Sequence, residues 1–370
     1  MTRTISSICI FCLICSLTFA QKIQVGTYTF KDGGVYSGEL MNGKPHGKGR
    51  TVWPNGDIYE GDYIKGKRSG EGIFTFADGE RYEGQWLNDY QHGRGTYYML
   101  NNNRYEGLWY KDFKEGEGTM YYYNGDKYTG QWKQDKRVGT GRYTYKNGAY
   151  YDGQWADDKK HGKGIFDWND GNKYDGQWQQ NVRSGHGTFY YDDGEIYTGD
   201  WRNDEKDGKG ICKSKNGDVY EGQYLKGERT GEGFLKFANG NTYNGHFLNG
   251  ELHGEGTYTW KGSAVYKGMW KNNKRNGQGT YTWKNGDVYE GNWKDNQMDG
   301  KGILRTASNE KYNGQFFAGK KHGKCIEIDK DGKRFDGSYA NGVRDGEFTE
   351  YDRNGNVIQK GVYKNGRIQK

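Results

Sequence analysis

Rings and polar side chains alternate along this chain. In Tyr82-Glu83-Gly84-Gln85-Trp86 the aromatic residues and the glycine share one face and the polar residues the other, the period-two pattern of a half-buried strand. A second kind of segment, Gly279-Thr280-Tyr281-Thr282-Trp283, repeats the alternation with threonine on the opposite face. Aligned on Tyr-x-Gly, units begin at Tyr36, Tyr59, Tyr82, Tyr105, Tyr128, Tyr151, Tyr174, Tyr197, Tyr220, Tyr243, Tyr266, Tyr289, Tyr312 and Phe335, each interval being 23 residues. A half unit precedes them, because Gly26-Thr27-Tyr28-Thr29-Phe30 has the register of Gly95-Thr96-Tyr97-Tyr98-Met99. The glycine between the two rings recurs in every unit. A side chain there is expected to strike an aromatic of the neighbouring unit.

Each unit therefore predicts a hairpin. Asn55-Gly56, Asp78-Gly79, Asn285-Gly286 and their equivalents mark one connection, and such pairs suit the positive φ angles of a type I′ turn. Asn102, Ser263 and Asn309 replace that glycine, and the two asparagines can still adopt the left-handed conformation. Gly47, Gly70 and Gly93 recur in the other connection and fix that turn as well. The fold class is all-β, an elongated antiparallel β-hairpin repeat. Twenty-eight strands paired in sequence order would extend roughly 130 Å at about 4.8 Å per strand. A flat sheet would leave a very large aromatic face in water, so the ribbon is expected to curl until its rings fill a groove.

Composition reinforces this reading. Only 32% of the residues are hydrophobic and 28% are charged, a balance near that of disordered chains, yet 33 Tyr and 12 Trp supply large buried surfaces with polar edges. The 63 Gly and 2 Pro suit sharp turns between hydrogen-bonded strands. A net charge of +7 is small beside 55 basic and 48 acidic residues, so nucleic acid is not an expected partner.

The segmentation follows. Residues 1–20 read as a secretory signal peptide: Arg3, an apolar stretch from Ile5 to Phe19, and Thr18-Phe19-Ala20 before Gln21. An uncleaved N-terminal membrane anchor is the alternative. Residues 21–35 form the half repeat, 36–334 thirteen 23-residue repeats, and 335–370 a degenerate C-terminal repeat and cap. Export places the chain in the periplasm, the outer envelope or outside the cell. Cys212 and Cys325 stand about five repeats apart, or about 50 Å, too far for a disulfide.

The unit resembles the MORN (membrane occupation and recognition nexus) repeat, Tyr-Glu-Gly-x-Trp-x-x-Gly-x-x-x-Gly-x-Gly-x-x-x-x-x-x-Gly, as in Tyr289-Glu290-Gly291-Asn292-Trp293 and Tyr82 to Gly95. The resemblance implies a rod of β-hairpins and a scaffold that self-associates, tethers proteins at membranes or binds phospholipid. Near the C-terminus, Cys325 and Phe348 replace the second Gly of Gly-x-Gly and the spacing lengthens to 24, similar to a variant repeat of exported bacterial proteins.

Chemistry is sparse. No Gly-Lys pair precedes Ser or Thr, which removes the phosphate-binding P-loop. His46, His92, His161, His253 and His322 share one repeat position but never in adjacent units, so about 20 Å separates the nearest pair, far beyond the reach of one metal ion. His186 and His246 have no ligand-spaced companion. The carboxylates Glu60, Glu83, Glu106, Glu221 and Glu290 read as an outward strand face. No cofactor, metal or catalytic centre is expected. One constellation suggests binding: Lys67-Arg68, Lys136-Arg137, Lys159-Lys160, Lys274-Arg275 and Lys320-Lys321, with single cations at Lys44, Lys114, Arg183, Lys206, Arg229 and Arg344, would stack into a basic stripe for anionic phospholipid or an acidic partner. The function read from the sequence is a non-catalytic scaffold for protein partners, with homodimer formation and peripheral phospholipid binding as further expectations.

Overall fold

The computed structural model describes residues 23–369, so the proposed signal peptide lies outside the described residues. Two compact units divide the chain, Met1–Lys146 and Asn147–Lys370. Both are all-β, and no helix occurs among the described residues. In the first unit the strands from Ile23–Thr29 to Lys136–Thr144 pair antiparallel in chain order. The second unit continues the same scheme from Tyr150–Ala156, and near its end the long strand splits into Val343–Arg344 and Gly346–Tyr351. The described chain has 32 strands rather than 28, because the N-terminal half unit adds one, the split of the last long strand another, and the C-terminal segment two.

Most hairpins join a seven-residue strand such as Arg81–Leu87 to a nine-residue strand such as Tyr90–Tyr98. Leu87 pairs with Tyr90, so the connection is the two-residue turn Asn88-Asp89, with φ of 51° and 74°. Two positive φ values mark the type I′ turn, which therefore lies here and not at Asn-Gly. The Asn-Gly connection is a three-residue loop. Phe76 N–H donates to Glu80 O at 2.9 Å and Gly79 N–H to Phe76 O at 2.9 Å, while only Gly79, at φ 100°, is left-handed. Asn102 and Asn309 take that conformation in its place, at 61° and 66°, whereas the hairpin carrying Ser263 puts Gly262 there instead.

Gly47, Gly70 and Gly93 also differ from expectation, for they lie inside the long strand rather than in a turn. Gly84 pairs with Gly95 but Trp86 pairs with Gln91, leaving Gln85 opposite three residues centred on Gly93. This bulge absorbs the two extra residues of the long strand, and Gly93 adopts φ 62° there.

The remaining glycines form rows across the sheet, with Gly72, Gly84, Gly95 and Gly107 each paired to the next. A Cβ on Gly84 would lie 2.4 Å from Gly95 Cα and 2.9 Å from Tyr82 OH. The obstruction is thus the repeat's own second strand and own tyrosine, not a neighbour's ring. Tyr82 is fully buried over this row, and its hydroxyl donates to Gln85 O at 2.9 Å. Its ring meets Trp86 edge-on at 5.2 Å and Trp109 of the next repeat at 5.4 Å. Such pairs contribute roughly 0.5–1.5 kcal/mol each beyond simple burial, and one recurs at nearly every step. Trp86 Nε1 donates in turn to Gly72 O of the preceding repeat at 3.2 Å.

Polar stitches hold the edges. At the type I′ edge Asp89 N–H donates to Arg68 O at 3.0 Å, and Arg68 N–H donates to Asp89 Oδ1 at 2.9 Å. At the opposite edge Asp57 Oδ1 accepts from Ala77 N–H at 2.8 Å. Each turn is therefore satisfied by its neighbour, which keeps backbone groups paired where strands end.

Candidate functional site

The basic pairs belong to the type I′ edge, where each begins a long strand, and strand alternation divides them. Lys67, Lys136, Lys159, Lys274 and Lys320 are exposed, whereas Arg68, Arg137, Lys160, Arg275 and Lys321 turn toward the aromatic face and are half-buried. The Arg68 guanidinium sits 4.4 Å from the Trp86 ring and 5.1 Å from Phe74, and its Nε meets Asp89 Oδ1 at 3.4 Å. Arg137 lies 5.6 Å from both Tyr128 and Tyr143. Arg275 lies 4.4 Å from Trp293 and donates to Asn296 O at 2.9 Å. Most of the single cations behave like the inner members, Arg183 standing 4.5 Å from Trp201 and Lys114 5.4 Å from Trp132, whereas Lys44 takes the exposed first position. A row of cation–π contacts on the inner face replaces half of the expected stripe. Its inner members are committed to rings and leave only the first residue of each pair at the surface.

Lys160, like Arg275 with its Asn296, has no carboxylate at the turn position. Its ammonium lies 4.4 Å from Trp178 and 4.5 Å from Phe166, but the position that supplies Asp89 to Arg68 holds the neutral Asn181. Burial lowers its pKa to about 8, with Asp204 opposing the shift and Arg183 adding to it.

Two of the five recurring histidines have a structural role that the sequence did not reveal, whereas His92 Nδ1 is buried without a hydrogen-bond partner among the described residues. His46 Nδ1 accepts from Lys65 N–H at 3.5 Å and His322 Nδ1 from Asn341 N–H at 3.4 Å, each receiving the first amide of the next repeat's turn. At the same position Ser69 accepts from Asn88 N–H at 3.0 Å and Glu115 from Gln134 N–H at 3.0 Å. Any acceptor of suitable length serves, which explains why the position varies. His186 and His246 instead lie at the surface, 3.3 Å from Asp200 Oδ1 and 3.2 Å from Glu232 Oε1 respectively. Among the described residues no cluster of His, Cys, Asp or Glu has the geometry to hold a metal ion. Glu60, Glu83, Glu221 and Glu290 are exposed and Glu106 half-exposed, on the outward face. Cys212 and Cys325 are free and buried, and burial pushes the Cys325 thiol up to about 12.

Two features stand outside the repeat pattern. In the first unit Leu87 and Tyr90 flank one type I′ turn and Tyr110 and Phe113 the next, exposed by 46, 47, 51 and 47% respectively. The equivalent residues one repeat later are Lys133 and Lys136. Hydropathy alone did not single these four out, because they alternate like their neighbours. In the second unit Glu327 replaces the ring that pairs with the repeat tyrosine, as Tyr97 does with Tyr82. Glu327 accepts from Lys321 Nζ, from Tyr339 OH at 2.9 Å and from Arg344 at 3.1 Å, and these donors hold its carboxyl below the usual range. Arg344 also reaches Glu350 Oε1 at 3.2 Å and lies 3.8 Å from the Phe335 ring.

Comparison with known proteins agrees with this geometry. The family model for the MORN repeat matches thirteen successive segments, from 36–58 to 312–334. No curated protein matches the chain. Among solved structures, the SAS-4 (dCPAP) TCP domain of Drosophila melanogaster, in complex with a proline-rich motif of Ana2 (dSTIL), is similar at 16% identity over 42% of this chain and 85% of that one, with a TM-score of 0.28. The TCP10 domain of Danio rerio CPAP, in complex with a STIL peptide, is similar at 10% identity over 92% of this chain and all of that one, with a TM-score of 0.22. At scores this low these likenesses carry no argument about fold or function. The repeated Tyr-x-Gly-x-Trp strands, their glycine rows and the thirteen matched segments together show that the chain belongs to the MORN repeat family.

Proposed function

We propose that this protein is a non-catalytic scaffold that binds a protein partner through the type I′ edge of its first unit. The observation that carries the reading is the quartet Leu87, Tyr90, Tyr110 and Phe113, half-exposed on two successive tips where the following repeat has lysines. Clustered apolar side chains are costly at a soluble surface, and interfaces favour aromatic anchors of this kind. The stitched turns present the four residues on a rigid base, which limits the entropy lost on docking. Export by the segment 1–20 would place the encounter in the cell envelope or outside it. A second copy of the chain is one partner of suitable chemistry, so homodimer formation belongs to the same reading. A photo-crosslinking residue at Tyr110 tests it in the native compartment. Capture of a defined partner, lost on Tyr90→Ser with Phe113→Ser, is the expected result. Capture unchanged by the double substitution would remove this edge from the interface.

Peripheral binding of anionic phospholipid is the second reading, and it rests on the exposed Lys67, Lys136, Lys159, Lys274 and Lys320. Their partners Arg68, Arg137, Lys160, Arg275 and Lys321 face the rings and contribute little to a headgroup. Sedimentation with phosphatidylserine vesicles distinguishes the readings: reversal of Lys136 and Lys159 to Glu abolishes lipid binding and leaves the crosslink intact. Equal sedimentation of the reversed protein removes the lipid reading.

A further inference from the structure

The inner face loses its rings near the C-terminal end. Where long strands carry Phe74, Tyr97, Phe166 and Tyr281, the last ones carry Leu304, Glu327 and Glu350. Two residues further on, Thr306 and Asp329 stand where Phe76, Trp168 and Trp283 stood. The missing rings leave a cavity of about 360 Å³ within the second unit. That volume falls at the low end of the ~300–1,000 Å³ found for small-molecule sites.

The lining is of two kinds. Leu304, Ile328, Phe335 and Ile358 supply apolar surface, Thr306, Tyr312 and Tyr351 add hydroxyls, and charged side chains supply the remainder. Once Arg334 is set aside with its own partner Asp336, cations and carboxylates line the cavity in equal number. Not all of them are engaged. Glu327 is saturated by its three donors, whereas Glu350 uses only Oε1, toward Arg344. Glu350 Oε2 has no hydrogen-bond partner among the described residues, although the residue is half-buried. Lys311 and Lys333 likewise form no ion pair among the described residues.

An anionic ligand placed here would face the open oxygen of Glu350, and a cationic one would face Lys311 and Lys333. A molecule carrying both charges meets both. We infer that the cavity binds a small zwitterion, a free α-amino acid with an apolar side chain. Its ammonium lies on Glu350, its carboxylate on Lys311 or Lys333, and its side chain against Leu304, Ile328 and Ile358. Arg344 positions Glu350 for this contact and is itself held by Glu327 and the Phe335 ring. The ion network thereby acts as the fixed floor of a site and does more than close the end of the sheet.

Isothermal titration calorimetry of the full exported chain tests this with three probes: L-leucine, isocaproate, which lacks the ammonium, and isoamylamine, which lacks the carboxylate. Leucine is expected to bind, and each truncated probe to bind on the order of tenfold or more weakly, since each forfeits one charge-assisted contact. Glu350→Gln keeps an acceptor for Arg344 and is expected to weaken leucine by about the same factor while leaving isocaproate unchanged. Lys333→Gln, at an exposed position, gives the reciprocal pattern if Lys333 holds the carboxylate, and Lys311→Gln does so if Lys311 holds it. No binding of leucine by calorimetry and by saturation-transfer NMR, or equal binding of all three probes, overturns the inference.

Discussion

Replacing Gly95 by alanine tests the packing argument at its tightest point. The backbone of Gly95 lies outside the left-handed region, so alanine brings no conformational strain. Its Cβ would instead lie 2.3 Å from Tyr82 OH, 2.5 Å from Cζ and 2.6 Å from Cε2. The tyrosine ring cannot swing aside, for it is fully buried between Trp86 at 5.2 Å and Trp109 at 5.4 Å. Overpacking of a dense core costs roughly 1–3 kcal/mol, and displacing the hydroxyl from Gln85 O adds about 1 kcal/mol. Removing a glycine from a strand returns roughly 0.5–1 kcal/mol. The net expectation is a loss of about 2 kcal/mol. In a Tyr82→Leu background the obstructing atoms are gone and only the backbone gain remains, so the sign reverses to about 0.5 kcal/mol of stabilisation. The coupling between the two sites is therefore about 2.5 kcal/mol. Urea unfolding of the four proteins of the cycle measures it, with amide exchange at Tyr82–Gly95 reporting local opening because repeat arrays can unfold piecewise. Equal costs of Gly95→Ala in the two backgrounds would show that the glycine row is not set by the tyrosine.

Three further outcomes follow from the same contacts. Burial pushes Tyr63 up to about 12, and Tyr59 and Tyr82 are raised in the same direction. Below pH 10 both folded and unfolded chains keep these protons and stability is level. Between 10 and 12 the unfolded chain loses them first, so stability falls with rising pH, and phenolate absorbance is expected to rise together with loss of the β-sheet circular dichroism signal rather than before it. At pH 7 Lys160→Met is expected to raise the urea midpoint, because it removes a half-buried ammonium without a carboxylate partner. Arg68→Met, which breaks the contacts to Asp89, is expected to cost about 1–2 kcal/mol, and a common direction for the pair contradicts the account of both. Ser69→Ala removes the acceptor for Asn88 N–H and is expected to cost about 1 kcal/mol, with faster amide exchange at Asn88 as the local signature.

Much of the fold was legible because its rules are local. The 23-residue register located the hairpins of the repeats, and the strand Arg81–Leu87 has the burial that the sequence pattern implies, with Tyr82 and Trp86 buried and Glu83 and Gln85 outside. The connections were misread for a physical reason. Asn-Gly favours a positive φ wherever it occurs, but one left-handed residue suits a three-residue loop and two suit a type I′ turn. Only the pairing of Thr75 with Arg81 and of Leu87 with Tyr90 shows which is which. The bulge at Gly93 escaped notice because strand lengths of seven and nine are visible only once both ends are fixed.

The basic pairs show why a site is harder to read than a fold. Lys67 and Arg68 are adjacent in sequence, and a charge pattern counts them as one patch. A strand sends adjacent side chains to opposite faces, so two cations in a row can never both line one surface. The periodicity that identified the strands already contained this division. It was obscured because cations are assumed to seek water, whereas an arginine stacked on tryptophan and paired with a carboxylate satisfies its charge while half-buried. Glu327 extends the same logic. In register it stands where most repeats place a ring or an aliphatic side chain, and a carboxylate is kept there because Lys321, Tyr339 and Arg344 all donate to it. Four polar residues from three strands are thus committed to one position that aromatic or aliphatic residues fill in most repeats. Such a cluster costs more to assemble than a phenylalanine, and its Arg344 holds a Glu350 whose second oxygen is still open, so this end of the second unit is where a ligand should be sought first.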